Sequence, residues 1–444
     1  MRLFTASWTA PASVMSALAL AACANSAASS GGEATPPVSD CCSASVLSEG
    51  LRIADRYRVA AITRRRFTHA EYWRAVGPYT RSAGLVTNVI GRSMLGKEIR
   101  SVTFGHGPIT VLLWSQMHGD EATATMALAD IFRFLAEAVG DSVHERLGRE
   151  LTIVAVPMLN PDGAELFQRE NAAGIDINRD GRARVSPEAR ILKALRDTLK
   201  PQFGFNLHDQ GARNLVGEHG LPAAIALLAP AYDIARSYND VRERARLVAA
   251  TIATTLASNI AGRVARYDDT FNPRAFGDLM QQWGTSTVLI ESGALPRDPE
   301  KQRLRALNVA AIVGALDAIA RGSYRSADKA AYEALPFNST SVNDLLIRGG
   351  QLVLPGEPPV RVDVAINYDD VLGRTGGRVR EVGDLQATVA MDTVDATGLY
   401  LHPASSAVTT REQGTWLRIG APALFDLRKG PAATSELVRK VGER

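Results

Sequence analysis

Cysteine is nearly absent. The 444-residue chain has three, at Cys23, Cys41 and Cys42, all close to the N-terminus. Two of them are adjacent, a spacing that strains an ordinary disulfide. No disulfide framework can support the rest of the chain, and no cysteine-rich zinc site can form in it. Beyond the first two dozen residues no segment offers the roughly 18 apolar residues of a membrane helix. Charge is nearly balanced: 50 lysines and arginines against 47 aspartates and glutamates give a formal net charge of +3, too small to argue for nucleic acid. The run Arg64-Arg65-Arg66 precedes Thr68-His69-Ala70-Glu71, which reads as a capping box opening a helix rather than a phosphate site. What is present is ordinary: 46% hydrophobic and 22% charged residues, typical of a globular protein long enough for two or three domains.

The N-terminus stands apart. Arg2 is the one charge before an apolar stretch ending "SALALAAC", which reads as an export signal over 1–22. Leu20-Ala21-Ala22-Cys23 resembles a bacterial lipoprotein signal, with Cys23 lipidated; the other reading is a plain signal cut nearby. Either way the chain is expected to be exported, to the periplasm or outer cell envelope, lipid-anchored at Cys23 or secreted. Residues 23–49, rich in Ser, Ala, Gly and Pro, read as a flexible tether.

Four apolar runs then read as buried strands of an α/β sheet: "ITVLLW" from Ile109, "LTIVAVPML" from Leu151, "QFGFNL" from Gln202 and "TSTVLI" from Thr285. Helical patterns lie between them, including "ATMALADIFRFLAEAV" and one opened by Ser186-Pro187. The expected fold is a mixed, mostly parallel sheet flanked by helices over 50–335. Each strand runs into polar residues: His118-Gly119-Asp120-Glu121, Asn160-Pro161-Asp162-Gly163, His208-Asp209 and Glu291-Ser292-Gly293. Ligands of open α/β sheets bind beyond the carboxyl ends of the strands. Taken singly, Asn-Pro-Asp-Gly is a turn and His-Asp a surface pair; together they can converge. His118 and Glu121, spaced i and i+3, share a face if they lie on one helical turn. With His208 they make a His₂Glu set that leaves a fourth position open, the pattern of catalytic zinc.

"HGDE", "NPDG", "RENAAGIDINRD", "NLHD" and "LIESG" occur in the order found in carboxypeptidase A-like zinc peptidases, and the resemblance runs from about Leu95 to Pro296. It implies one Zn²⁺ per chain, held by His118, Glu121 and His208. It implies a zinc-activated water that attacks the C-terminal peptide bond, with Glu291 as general base. Arg169 resembles the arginine that polarises the scissile carbonyl. Asn178 and Arg179 resemble the pair that grips the substrate's free carboxylate, and Asp176 resembles the acid that orients the first zinc histidine. The family's mobile tyrosine has no firm counterpart, though Tyr267 is in the right region. Phe276, Asp278 and Trp283 are candidates for the terminal side-chain pocket, where an acid would favour a basic residue. Asp120 reads as facing solvent or as helix-start electrostatics, and Asp209 as either a supporting acid or a bystander. The short stretch between Glu121 and His208 resembles compact bacterial members, so hydrolysis of murein peptides or another amide is the alternative. An inactive peptide-binding surface protein is a third reading.

From about residue 340 to 444 the sequence becomes strand-like, with turns every 8 to 12 residues, as in a small β sandwich or barrel. "DLLIRGGQLVLPGEPPVRVDVAI" and "GTWLRIGAPALFDLRKG" resemble the small β domain of amidohydrolases. The barrel that would lie between such segments is missing, so no amidohydrolase activity is expected. An accessory domain that packs on the peptidase or binds a partner is.

Overall fold

The computed structural model describes residues 39–218, 220–340 and 342–442. The signal over 1–22, Cys23 and most of the segment read as a tether lie outside the described residues. Helix α1 (Ser39–Arg56) corrects the tether's end: its last residues are helical and run without a break into the next segment. Leu47, Ile53 and Ala54 recur on one face of α1 and are buried, so helical spacing rather than composition decides the local structure there. Among the described residues no helix is long and apolar enough to cross a membrane.

Helix α2 (His69–Thr80) begins with the capping box read from the sequence, Thr68 and Glu71 each satisfying the other's backbone N–H. Strands β1 (Leu85–Arg92) and β2 (Glu98–Phe104) form an antiparallel pair. Then come β3 (Ile109–Ser115), α3 (Thr123–Glu137), α4 (Ser142–Glu150), β4 (Leu151–Val156), α5 (Pro161–Leu166), α6 (Pro187–Leu199), β5 (Phe203–Asp209) and the short β6 (Leu215–Val216). Strand β7 (Ile225–Leu228), α7 (Asp240–Ala257), β8 (Val264–Arg266), α8 (Phe276–Gln282), β9 (Ser286–Ser292), α9 (Gln302–Arg321), α10 (Ala330–Glu333) and the short β10 (Asn338–Ser339) follow. Eight strands make one sheet in the order β1-β2-β4-β3-β5-β9-β7-β8. Its centre, β4-β3-β5-β9, is parallel; β2 and β7 join it antiparallel. The four sequence-read strands are this centre. Strands β1, β2, β7 and β8 lie outside it and have shorter or more mixed apolar runs, because edge strands bury less.

The strand period of two sorts the core into layers. Val111, Leu113, Phe203, Phe205, Val288 and Ile290 face α3, α7 and α9. Leu112, Trp114, Val154 and Val156 face α6 and α8 through Ala189, Leu192, Phe276 and Met280. His208 and Glu291 alternate with the first set and therefore fall on the second face.

Buried in the first layer, Arg305 of α9 is paired with Asp130 of α3, each only 1% exposed. Arg305 Nε donates to Asp130 at 2.7 Å, and Asp130 also accepts the Val59 N–H at 2.7 Å. Removing one partner leaves a buried charge uncompensated. Asp130→Ala is therefore expected to cost about 3–5 kcal/mol in urea unfolding. The double replacement Asp130→Leu with Arg305→Met removes both charges and should recover only part of that loss, because the Val59 N–H loses its acceptor.

After β10 the chain is all β. Strands β11 (Asn343–Leu352), β12 (Val360–Asp370), β13 (Thr375–Gly383), β14 (Ala390–Asp395) and β15 (Tyr400–Pro403) are followed by the β16 (Val408–Arg411) and β17 (Gly414–Leu417) hairpin, then β18 (Phe425–Arg428) and β19 (Leu437–Val441). Seven of these form one sheet, β13-β12-β11-β15-β18-β19, with β14 branching from β11. The expected sandwich or barrel is thus a branched sheet with its own apolar core, including Leu345, Ile347, Val364, Leu401 and Phe425. It is tied to the preceding α/β part: Arg213 holds Asp344 through Nε and Nη2 at 2.9 and 2.6 Å, and Arg65 meets Asp370 at 3.2 Å.

Candidate active site

Three central strands, β3, β5 and β9, end side by side, and their carboxyl ends carry His118, His208 and Glu291 in one cleft. After β3 the chain bends sharply at Gln116, whose φ is +50°, an uncommon conformation for a side chain of this size. The Gln116 side chain donates to the Gly119 carbonyl at 2.9 Å, closing the turn on itself. Gly119 is required by close approach: a Cβ there would lie 2.1 Å from the Gly163 carbonyl carbon. His118 and Glu121 belong to this turn and not to a helix, since α3 starts only at Thr123. The expected helical turn is corrected: the bond from the Glu121 N–H to the His118 carbonyl, 3.2 Å, closes a turn that brings the two side chains to one side all the same. The Asn-Pro-Asp-Gly segment caps α5 through Asn160, which accepts the Gly163 N–H, and Asn160 Nδ2 donates to the Arg169 carbonyl at 3.2 Å. It is a positioning turn under the cleft.

His118, Glu121 and His208 are buried, and one ligand atom from each lies within 4.8 Å of the other two. His118 Nε2 meets Asp176 Oδ1 at 3.0 Å. Donation to that carboxylate places the proton of a neutral His118 on Nε2 and turns the Nδ1 lone pair inward. His118 Nδ1 lies 2.8 Å from Glu121 Oε1, His208 Nδ1 lies 2.6 Å from Glu121 Oε2, and the two Nδ1 atoms are 3.1 Å apart. The Asp209 backbone N–H donates to Glu121 Oε2 at 3.1 Å and holds the carboxylate. Three lone-pair donors facing one point suit a cation better than a proton, which can serve only two of them. The donor set, two imidazoles and one carboxylate with no thiolate, fits zinc with an open position.

The charges follow from this crowding. Burial opposes a charge on His118, yet the Glu121 charge and the bonds to Asp176 and Glu121 raise it to about 9. Burial and the neighbouring His118 and Arg169 charges leave His208 lowered. Asp176, despite its burial, is held well below the carboxylate range by His118 and Arg169. Burial, then the Glu121 charge, pushes Glu291 well up; a cation at the three donors acts in the opposite direction. His208 and Glu291 are direct cross-strand neighbours on β5 and β9, so their side chains rise from the same face.

The remaining sequence-read residues surround this point. Arg169 donates through Nε to Asp176 at 3.0 Å, and its Nη1 reaches 3.4 Å from Glu121. Asn178 Oδ1 accepts the Phe276 N–H at 2.9 Å, and Arg179 borders the same cavity of about 520 Å³. Asp209 Oδ2 accepts from Thr123 at 2.6 Å and from Lys301 at 3.0 Å. Lys301 carries no motif, and its buried ammonium is legible only in three dimensions. Asp120 lies just ahead of α3, and one of its carboxylate oxygens is buried without a hydrogen-bond partner. Tyr267 lines the cavity, and the Glu291 charge with burial pushes its phenol up to about 12.

Of the three pocket candidates only Asp278 reaches the cavity. Phe276 is fully buried beneath it, with Trp283 packed against the same cluster. Burial raises the Asp278 carboxyl from 3.8 to about 6. The native state therefore binds the extra proton between about pH 4 and 6, and this contribution to stability is present at low pH and lost as pH rises through 6. Asp278→Asn keeps an acceptor for the Asn272 N–H. It should stabilise the protein by on the order of 1–3 kcal/mol at pH 7.5 and by nothing at pH 4, read from unfolding midpoints at both.

The zinc carboxypeptidase family model matches residues 80–207, which include His118 and Glu121 and stop one position before His208. The chain carries a zinc carboxypeptidase domain. It is a hydrolase of that type, and its cofactor is Zn²⁺. A comparison with curated proteins gave no match. Among solved structures it is similar to a metallo-carboxypeptidase from Burkholderia cenocepacia, at 20% identity over 57% of this chain and 70% of that one, with a TM-score of 0.46. It is also similar to bovine thrombin-activatable fibrinolysis inhibitor, at 14% identity over 58% and 98% of the two chains, TM-score 0.48. A third, the Pseudomonas aeruginosa metallo-carboxypeptidase in complex with (2-guanidinoethylmercapto)succinic acid, has 18% identity over 56% and 68%, TM-score 0.42. His208 and Glu291 lie beyond the matched segment, on β5 and β9 of the same sheet.

Proposed function

We propose that the chain removes the C-terminal residue of peptides, with His118, Glu121 and His208 as the zinc ligands. The observation that carries this reading is Arg179. It borders the cavity beside the three donors, its Nη1 is bonded to the Asn178 carbonyl, and it makes no ion pair among the described residues. An uncompensated guanidinium in a cavity is suited to a carboxylate, which its planar fork can hold through two oxygens. Asn178 uses its side-chain oxygen on Phe276, which leaves the amide N–H₂ free to donate to the same carboxylate.

Zinc held at this site supplies Lewis acidity for amide hydrolysis at neutral pH. Glu291 accepts a proton from the attacking water and delivers it to the amine as the C–N bond breaks. Arg169, fixed by Asp176, donates to the carbonyl oxygen as it gains negative charge. Asp176 keeps His118 in the tautomer that presents Nδ1. The same proposal places the enzyme outside the cytoplasm, anchored through Cys23 or released; the apolar leader and "LAAC" support it.

Peptides with free and amidated C-termini separate this reading from its rivals. The free acids should be cleaved at least a hundredfold faster, and Arg179→Ala should narrow the gap by raising KM for the free acids alone. Cleavage of other amides, such as murein peptides, with no preference for a free C-terminus would favour the alternative hydrolase, and no cleavage of any amide would favour a binding protein.

A further inference from the structure

The cleft does not end at the three donors. On the side of Glu121 and Arg169 away from Arg179 it opens into a second chamber of about 480 Å³. This chamber shares Glu121, Arg169 and Asp209 with the first, so a peptide crossing the site from its terminal carboxylate must run into it. One wall is Phe167 with Arg65 and Arg66. The other is the end of β12 with the start of the β12–β13 turn, residues Asp369 to Leu372. The late β sheet therefore contributes a wall to the catalytic cleft.

The cations of the chamber are mostly committed. Arg65 is bonded to Asp370 at 3.2 Å, Lys301 to Asp209 at 3.0 Å and Arg169 to Asp176 at 2.9 Å. The other acid at this end of β12, Asp369, is taken by Arg378 at 2.9 Å. Asp120 borders the chamber too, and one of its carboxylate oxygens is buried without a hydrogen-bond partner. Arg66 differs. Its guanidinium lies 4.4 Å over the Phe167 ring, is exposed, and makes no ion pair among the described residues. The ring also carries Arg65, at 5.3 Å, and keeps both guanidiniums at the chamber wall at little cost in freedom.

We propose that the β12–β13 turn completes an upstream subsite of the zinc carboxypeptidase cleft, in which Arg66 receives an acidic side chain of the peptide while Asp370 neutralises Arg65. This inference rests on the proposed direction of peptide binding and refines it. An exposed charge is screened by salt, so the preference is moderate and falls with ionic strength.

The test uses the full chain loaded with zinc and acylated tetrapeptides with one C-terminal residue. Glu, Ala or Lys is placed at each of the two positions upstream of the scissile bond. The readout is the kcat/KM ratio of Glu to Lys peptides at low salt. We expect roughly fivefold in the wild type, a ratio near one in Arg66→Ala, and most of the preference kept in Arg66→Lys. Asp370→Asn, which releases Arg65, should raise the ratio. An Arg66→Ala ratio equal to the wild type's overturns the role of Arg66, and an unchanged ratio in Asp370→Asn overturns the part given to the β turn. Both outcomes leave the carboxypeptidase reading intact if the wild type cleaves these peptides. No cleavage of any of them by zinc-loaded enzyme overturns the inference and that reading together.

Discussion

Glu291→Gln should lower kcat on a free-ended peptide by about 10³ to 10⁴ while leaving zinc content and KM nearly unchanged. The size follows from what the carboxylate is asked to do. It takes a proton from water and returns it to a leaving amine, and an amide side chain of the same shape can do neither. Glu291 is 8% exposed and sits on β9 directly beside His208, so the substitution replaces a buried acid with a neutral isostere in a rigid strand. The fold should tolerate it well, because burial and the Glu121 charge already disfavour the ionised form. A loss of less than tenfold would mean that another group is the base.

The second large effect is on the metal. His208→Ala should abolish zinc binding and with it activity. His208 supplies one of three donors, and the other two already face each other across 2.8 Å. Two ligands on one short turn cannot hold zinc against competing water, since zinc sites of this kind need three protein donors. Zinc affinity of the wild type should also fall with decreasing pH, because the metal displaces a proton from His118, which the anionic neighbours raise to about 9.

Much of this site is legible in the sequence because each donor ends a central strand. Runs such as "ITVLLW" and "QFGFNL" announce β3 and β5 by apolar content alone, and the polar residues that follow then stand out. The outer strands are harder to read: in Leu85–Arg92 only Leu85 is buried and Ile90 half-buried, while Val86 and Val89 are exposed, so no inward apolar run marks the strand. The geometry of the His118–Glu121 turn was not legible either. An i, i+3 spacing fits a helix and a turn equally, and the choice is made by Gln116 in its left-handed conformation and by Gly119 against α5. Lys301 and Asp120 owe their environments to burial, which no local pattern encodes. The path of the β12–β13 turn to the cleft depends on Arg213–Asp344 and Arg65–Asp370, pairs between residues more than a hundred positions apart. Composition alone separated the β sheet from the α/β part, and it could not place one against the other.

The central claim is that His118, Glu121 and His208 hold the zinc of this hydrolase. Elemental analysis of the purified full chain, beside Glu291→Gln and His208→Ala after identical dialysis, tests it most directly. The account predicts close to one zinc per chain in the wild type and in Glu291→Gln, and almost none in His208→Ala. Equal zinc in all three, or none in the wild type after loading, would contradict it.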